Sequence, residues 1–207
     1  MACLLCLCKG GSDRIYAQDA GAPKAGEEKE VTVDESEVEI QDPGAEEDKE
    51  TEAAVARPVT GDPVQIYGWR EWVHLSNGNE TQKLAAKLDT GALTSSIHVE
   101  DKKLFERDGK KWVRFVVTDP RDKDSKRMRM EAPLVRIARI KEPGGESEAR
   151  ETVLLSFKIG ERRIKAEFTL NNRENMLSPV LIGRRTIREL GWIDPGRAYL
   201  ADKKVMR

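Results

Sequence analysis

Apolar and polar positions change places quickly over the last two thirds of this chain, and almost never at helical spacing. Val64–Tyr67 and Glu71–Leu75 are short apolar runs on either side of Gly68, and Asn77-Gly78-Asn79 follows as a turn signal. Leu84–Leu88 alternates. Leu84, Ala86 and Leu88 fall on one face, and Lys83, Ala85 and Lys87 on the other, which is the period of a half-buried strand. Asp108-Gly109 marks a turn before Lys111–Thr118. Asp119–Lys126 is a charged loop containing Pro120, and Met128–Ile140 reads as one or two strands around Pro133. Thr152–Ile159 and Arg162–Leu170, joined by Gly160-Glu161, predict a hairpin. Val180–Ile182 is a short buried strand. Arg184–Leu190 has helical spacing, with Ile187 and Leu190 on one face and Gly191 as the stop. Many short strands and one short helix near the carboxyl end predict a mainly β fold, a small closed or partly closed barrel.

Composition then sets the domain count. Of 207 residues, all four Trp and all four Phe lie from Trp69 onward, and residues 1–63 offer one Tyr, Tyr16. A packed core therefore belongs to residues 64–207, a normal size for one domain. No apolar run approaches the ~18 residues that cross a bilayer, which excludes a multi-span membrane protein. The net charge of −1 conceals a division. Residues 27–52 hold thirteen Asp/Glu against two Lys, while residues 64–207 carry +9. A like-charge block of this kind is expected to be a solvated, disordered linker, here spanning 27–63. The sharper expectation is that it folds back and screens a basic groove.

The amino end changes the picture little. Cys3, Cys6 and Cys8 all lie outside the prospective core, so no disulfide framework holds it. With no partner cluster of His or Cys, a metal site at these three is the weaker reading. Met1–Cys8 is apolar but short, and it lacks the preceding positive charge of an export signal. Residues 1–26 read as a truncated export signal and a flexible segment, so the expected location is periplasmic or envelope-associated.

One segment carries candidate chemistry. Leu84–Leu88 leads directly into Asp89-Thr90-Gly91-Ala92. An acid at the end of a half-apolar strand must be paired, hydrogen-bonded or neutralised. Gly91 allows a sharp turn, and the Thr90 hydroxyl can hydrogen-bond across the site. Asp-(Ser/Thr)-Gly alone arises by chance in about one chain in ten of this length, and an ordinary Asp turn explains it equally well. What raises it is the apolar strand before it and a later unit, Leu181-Ile182-Gly183, that runs into Arg184 and the helix.

That pair of features resembles the retropepsin-like aspartic peptidases. Further stretches resemble one bacterial family within them: Tyr67–Val73, Ala86–Ala92 with Thr94, Ser95 and His98, Trp112–Phe115, and Asn172–Met176 before Pro179–Arg184. That family is commonly labelled "ATP-dependent zinc protease" and includes the RimB-type peptidases that trim glutamate tails. The likeness covers roughly residues 66–200. The label itself fails on the residues. Zinc hydrolysis needs about three ligands, and the chain has only His74 and His98, without His-Glu-x-x-His. No Gly-x-x-x-x-Gly-Lys-(Ser/Thr) is present for ATP. The reading therefore expects no cofactor and no metal.

The resemblance implies an aspartic endopeptidase with Asp89 as its catalytic carboxylate. Thr90, Gly91, Ala92, Leu181, Ile182, Gly183 and Arg184 would support the site, with Arg184 in an ion pair. Thr94, Ser95, His98, Arg173 and Met176 are possible substrate contacts. Such enzymes work with two carboxylates, and this chain has one Asp-Thr-Gly. Asp194-Pro195-Gly196 cannot replace the second, because Pro offers no hydroxyl. A homodimer is therefore expected. Phe115–Met130 is a candidate flap, and Lys126, Arg127 and Arg129 on it would favour an acidic peptide. The departure from the family is Leu93, where Arg or Lys is frequent, and it weakens transfer of that substrate preference. The alternative function is a non-catalytic peptide-binding barrel. Nucleic-acid binding is not expected, since Trp69, Trp72 and Phe115 sit in apolar strand patterns.

Overall fold

The computed structural model describes residues 29–32, 38–40, 65–141, 147–203 and 205. In chain order the elements are β1 Lys29–Glu30, β2 Val38–Ile40, β3 Ile66–Gly68, β4 Arg70–Ser76, β5 Thr81–Asp89, β6 Ser95–Arg107 and β7 Lys110–Val117. They continue with β8 Met128–Lys141, β9 Ser147–Ile159, β10 Arg162–Asn171, β11 Val180–Gly183, α1 Arg184–Leu190, β12 Trp192–Asp194 and a 3-10 turn at Ala201–Lys203. Among the described residues, the mainly β architecture with one short helix is as the sequence predicts.

The hairpins form where turn chemistry asks for them. Between β4 and β5 the Asn77 side-chain oxygen accepts the N–H groups of Asn79 and Glu80, at 3.0 and 2.8 Å. Asp108 and Gly109 both take positive φ, 52° and 70°, and join β6 to β7 in a two-residue turn. Gly160, at φ 54°, closes the β9–β10 hairpin, whose register runs Ile159↔Arg162 to Thr152↔Thr169.

Two long strands change partners at irregularities, and this bends the sheet round on itself. β6 pairs with β11 and β10 through its first residues and with β7 from Val99 onward, with a register shift between Glu100 and Lys103. β8 pairs with β7 up to Pro133 and with β9 from Leu134, with a shift between Leu134 and Arg136. The pairings β4–β5–β11–β6–β10–β9–β4 therefore close a ring. A second ring, β6–β7–β8–β9–β10, shares three strands with it. Inside sit Leu75, Leu84, Ile97, Phe115, Phe157, Phe168 and Ile182, all at 2% exposure or less. Phe157 and Phe168 meet edge to face at 5.6 Å between ring centres.

Three strands sharpen or depart from the sequence reading. β5 does not present a clean polar face, because Ala85 is buried opposite Trp72 along with Ala86. Met128–Lys141 is one strand, bent after Pro133 rather than broken there. β6 runs for thirteen residues, straight through the charged run Glu100–Lys103, where the sequence pattern predicts no strand.

Five residues of the acidic segment lie on the domain. β1 runs antiparallel to β6, Lys29↔Glu106 and Glu30↔Phe105, and β2 runs parallel to β8, Val38↔Ile137 to Ile40↔Arg139. The expected export signal at 1–26 and the linker residues 27–28, 33–37 and 41–63 lie outside the described residues. Among the described residues no helix is long and apolar enough to cross a membrane.

Candidate active site

The site is built on one rung of the sheet. β11 lies parallel to β5, so that Leu181 stands opposite Lys87, Ile182 opposite Leu88 and Gly183 opposite Asp89. Leu88 and Ile182 are buried and anchor the rung, while Leu181 is only partly buried. The two strand ends brought together are thus the Asp-Thr-Gly loop and the entry to α1.

Backbone groups at the start of α1 grip that loop. A helix leaves its first N–H groups without internal partners. Here the Arg184 N–H donates to the Ala92 carbonyl at 2.8 Å, and the Arg185 N–H donates to the Leu93 carbonyl at 3.3 Å. The Gly183 N–H donates to the Ser95 hydroxyl at 3.1 Å. Ser95 in turn shares a hydrogen bond with the Thr186 hydroxyl, 3.1 Å away in the first turn of α1. Gly183 must be glycine for a steric reason. A Cβ there would come within 2.5 Å of the Thr94 carbonyl carbon and oxygen, and 2.8 Å of the Leu93 oxygen. Arg184 thus reaches the site through its backbone N–H.

Asp89 is held but not buried, with its side chain 26% exposed. Its Oδ1 accepts the Gly91 N–H at 3.0 Å, an Asx-type turn. Its carbonyl accepts the Ala92 N–H at 3.3 Å. Its Oδ2 accepts from the Lys87 ammonium at 2.8 Å. The Lys87 hydrogen bond, ahead of the opposing cost of partial burial, holds the carboxyl below the ordinary carboxylate range. Thr90 and Gly91 lie exposed at the tip of the loop, and Ala92 is partly buried.

Three of the expected substrate contacts sit beneath this surface. Ser95, His98 and Arg173 are 1, 2 and 8% exposed. Ser95 braces α1. His98 Nδ1 accepts the Arg173 backbone N–H at 2.9 Å, and the His98 N–H donates to the Pro179 carbonyl at 2.7 Å. The Arg173 guanidinium donates to the Ser96 hydroxyl at 2.8 Å and the Ser178 carbonyl at 3.3 Å. Burial, joined by the Arg150 charge, lowers the Arg173 pKa against the opposing pull of Asp89. These residues shape the loop 172–179 from below. Thr94 is partly buried under Gly183, whereas Met176 is 51% exposed and its neighbour Leu177 56%.

The candidate flap is a hairpin, β7 against β8, with Val117 opposite Met128. Its loop reaches the site, where the Arg121 guanidinium donates to the Leu177 carbonyl at 2.5 Å and Arg70 of β4 to the same carbonyl at 3.3 Å. The expected basic grip is partly spent. Arg127 is hydrogen-bonded to Glu100 and ion-paired with Asp101 at 2.7 Å. Sequence reasoning missed Lys87 as the partner of Asp89. The signal was present, because residues two apart on a strand share a face. It also missed Arg70 and Arg121, which the fold brings to residue 177 from far along the chain. Among the described residues no group of three or more His, Cys, Asp or Glu is placed to hold a metal ion.

A ring-closed β fold whose Asp-Thr-Gly loop is clamped by a second strand, a glycine and a helix is the architecture of the retropepsin-like aspartic protease class. Residues 66–204 match the family described as "RimB-like: Retropepsin-like aspartic endopeptidase RimB", and the chain belongs to that family. A Legionella pneumophila protein described as of unknown function is 33% identical, with a TM-score of 0.56, over 66% of this chain and 98% of its own. Two curated relatives are each named "Probable alpha-L-glutamate ligase". The Desulfotalea psychrophila protein is 33% identical over 63% of this chain, and the Shewanella pealeana protein is 31% identical over 58%. This chain spans only 28% and 26% of those two proteins.

Proposed function

We propose that the domain is an aspartic-type endopeptidase that acts as a homodimer, each subunit supplying one Asp89. The observation that carries this is the rung itself. Asp89 stands at the strand end opposite Gly183, its loop is fixed by the N–H groups of α1, and its carboxylate is left partly open to solvent. Such rigidity around one exposed acid suits chemistry better than it suits a turn. The ligase name belongs to proteins about four times the length matched here, and it gives no reason for an acid held in this way.

The chemistry follows from two carboxylates about 3 Å apart, which cannot both ionise and so share one proton. The ionised Asp89 takes a proton from a water molecule lying between the two. The water oxygen bonds to the peptide carbonyl carbon, and the protonated twin donates its proton to the carbonyl oxygen. In the reverse exchange the nitrogen gains a proton, the C–N bond breaks, and acid and amine leave. No covalent intermediate and no metal are required. Thr90 of each loop braces the other across the two-fold axis. The β7–β8 hairpin and the loop 172–179, joined by Arg121, wall the peptide and exclude water. The domain's +9 charge and the guanidinium group of Arg70 favour acidic residues near the cleaved bond.

The test is Asp89→Asn in the full chain, assayed on a peptide library by mass spectrometry, with mass in solution measured alongside. The expected loss of turnover is on the order of 10⁴-fold with the thermal transition retained. Undiminished cleavage by the variant removes the assignment. Peptide binding without cleavage by the wild type, untouched by a pepstatin-type inhibitor, selects the binding barrel instead.

A further inference from the structure

Both oxygens of the Asp89 carboxylate are engaged within one subunit, one by a backbone N–H and the other by an ammonium group from its own strand. Lys87 and Asp89 are two residues apart on β5 and project to the same face, with buried Leu88 between them pointing the other way. Across the β4 ladder Lys87 meets Arg70, a like charge. Across the β11 ladder it meets Leu181, which offers no acceptor on its side chain. The ammonium group is therefore turned along its own strand toward Asp89, at 2.8 Å. A carboxylate carries about four lone-pair sites. The Gly91 and Lys87 donors use two and leave one on each oxygen for a water molecule and a twin acid.

We propose that Lys87 is a positioning residue of the reaction: it fixes the plane of the Asp89 carboxylate and sets the pH range in which that carboxylate works. The proposal rests on the reading of Asp89 as half of a proton-sharing pair. The other ionisable groups on the elements around the loop include Arg70, Glu71 and His74 on β4, His98 and Glu100 on β6, Arg173 and Glu174 on the loop 172–179, and Arg184, Arg185, Arg188 and Glu189 on α1. Of these, Arg173 acts on Asp89 through its buried charge. Lys87 is in direct contact, and its hydrogen bond is the largest influence on that carboxylate. A symmetric dimer carries two such lysines, one behind each acid. They favour the singly protonated pair over the doubly protonated one, and the doubly ionised pair over the singly protonated one. Both limbs of a bell-shaped activity profile then lie at lower pH than two unassisted carboxylates would give.

The experiment compares the full chain with Lys87→Met and Lys87→Arg. Lys87 is 40% exposed on its side chain, so neither change opens the core. Activity is followed against pH, and the Asp89 carboxyl carbon is titrated by ¹³C NMR in the same proteins. In Lys87→Met both limbs of the profile and the NMR midpoint of Asp89 move to higher pH, and in Lys87→Arg they return toward the wild-type positions. A purely structural lysine would lower activity with the limbs in place, and limbs and midpoint unmoved in Lys87→Met overturn the proposal. If the wild type cleaves nothing, the peptidase reading fails, while the NMR midpoint still decides whether Lys87 governs Asp89.

Discussion

Adjacent strands of this sheet hold two carboxylates that the protein treats in opposite ways. Glu71 on β4 is 1% exposed, and its Oε1 accepts three backbone N–H groups, from Gly68 at 2.6 Å, Leu200 at 2.8 Å and Ala201 at 3.1 Å. Asp89 on β5 is partly open, accepts two donors on separate oxygens, and faces an ammonium group. Burial raises the Glu71 pKa, against the lowering effect of its N–H donors. Lys87 lowers that of Asp89. The first acid is a staple, gathering the β3–β4 turn and the carboxyl-terminal segment onto one oxygen. The second has lone pairs left over and a path to solvent, which a reacting acid needs and a structural one does not.

The largest effect that separates the two is on folding. Glu71→Ala leaves three buried N–H groups without an acceptor, each costing about 1–3 kcal/mol when unmet. The expected loss is about 3 kcal/mol or more, read from the denaturant midpoint, and the terminal segment at Leu200 and Ala201 loses its hydrogen-exchange protection. A loss under about 1 kcal/mol would show that Glu71 is no staple, and the contrast with Asp89 would collapse.

Next comes the clamp around Asp89. Gly183→Ala forces a methyl group into the Thr94 carbonyl, at 2.5 Å in the present geometry. Overpacking of this kind costs about 1–3 kcal/mol. The strain falls on the Asp-Thr-Gly loop itself, so activity should fall further than stability, and peptide turnover per folded molecule measures the difference. Equal losses in both would mean that the loop does not need its present position to work.

These two predictions also mark what a sequence can and cannot disclose. The helix Arg184–Leu190 and the β9–β10 hairpin were legible because their signals are local: Ile187 and Leu190 spacing with Gly191 behind, and alternation around Gly160-Glu161. The Asp-Thr-Gly loop and its partner Leu181-Ile182-Gly183 were legible because a short pattern carries them. β6 was not, because Glu100-Asp101-Lys102-Lys103 in its middle looks like a surface loop and proves to be a bulge, with Asp101 at φ 51°. Glu71 gave no sign of its role, since two of its three donors come from about 130 residues away. Ser95, His98 and Arg173 are expected against substrate because the family resemblance places them near the acid. Burial shows that nearness in pattern is nearness from beneath.

The smallest effect is the most discriminating, because the two acids should respond to pH with opposite sign. Lys87 holds Asp89 below its ordinary value of 3.8, so the folded protein binds that proton more weakly than the unfolded chain does. The stability Asp89 contributes is present above the unfolded pKa and drains away as pH falls through the folded one. Glu71 sits above its ordinary value of 4.5, so its contribution is full below the unfolded pKa and is lost as pH rises through the folded one. Relative to wild type, Asp89→Asn should therefore be less stable at pH 6 and approach parity toward pH 3. Glu71→Gln should gain on wild type as pH rises over the same interval, whatever its fixed packing cost. The Asp89 term is below about 1 kcal/mol, as for other partly exposed ion pairs. Urea midpoints must be compared at a protein concentration low enough to keep the subunits apart, since assembly and the proton shared by the paired acids add their own pH-dependent stability. Two difference curves that slope the same way would mean that one of these carboxylates has been given the wrong surroundings.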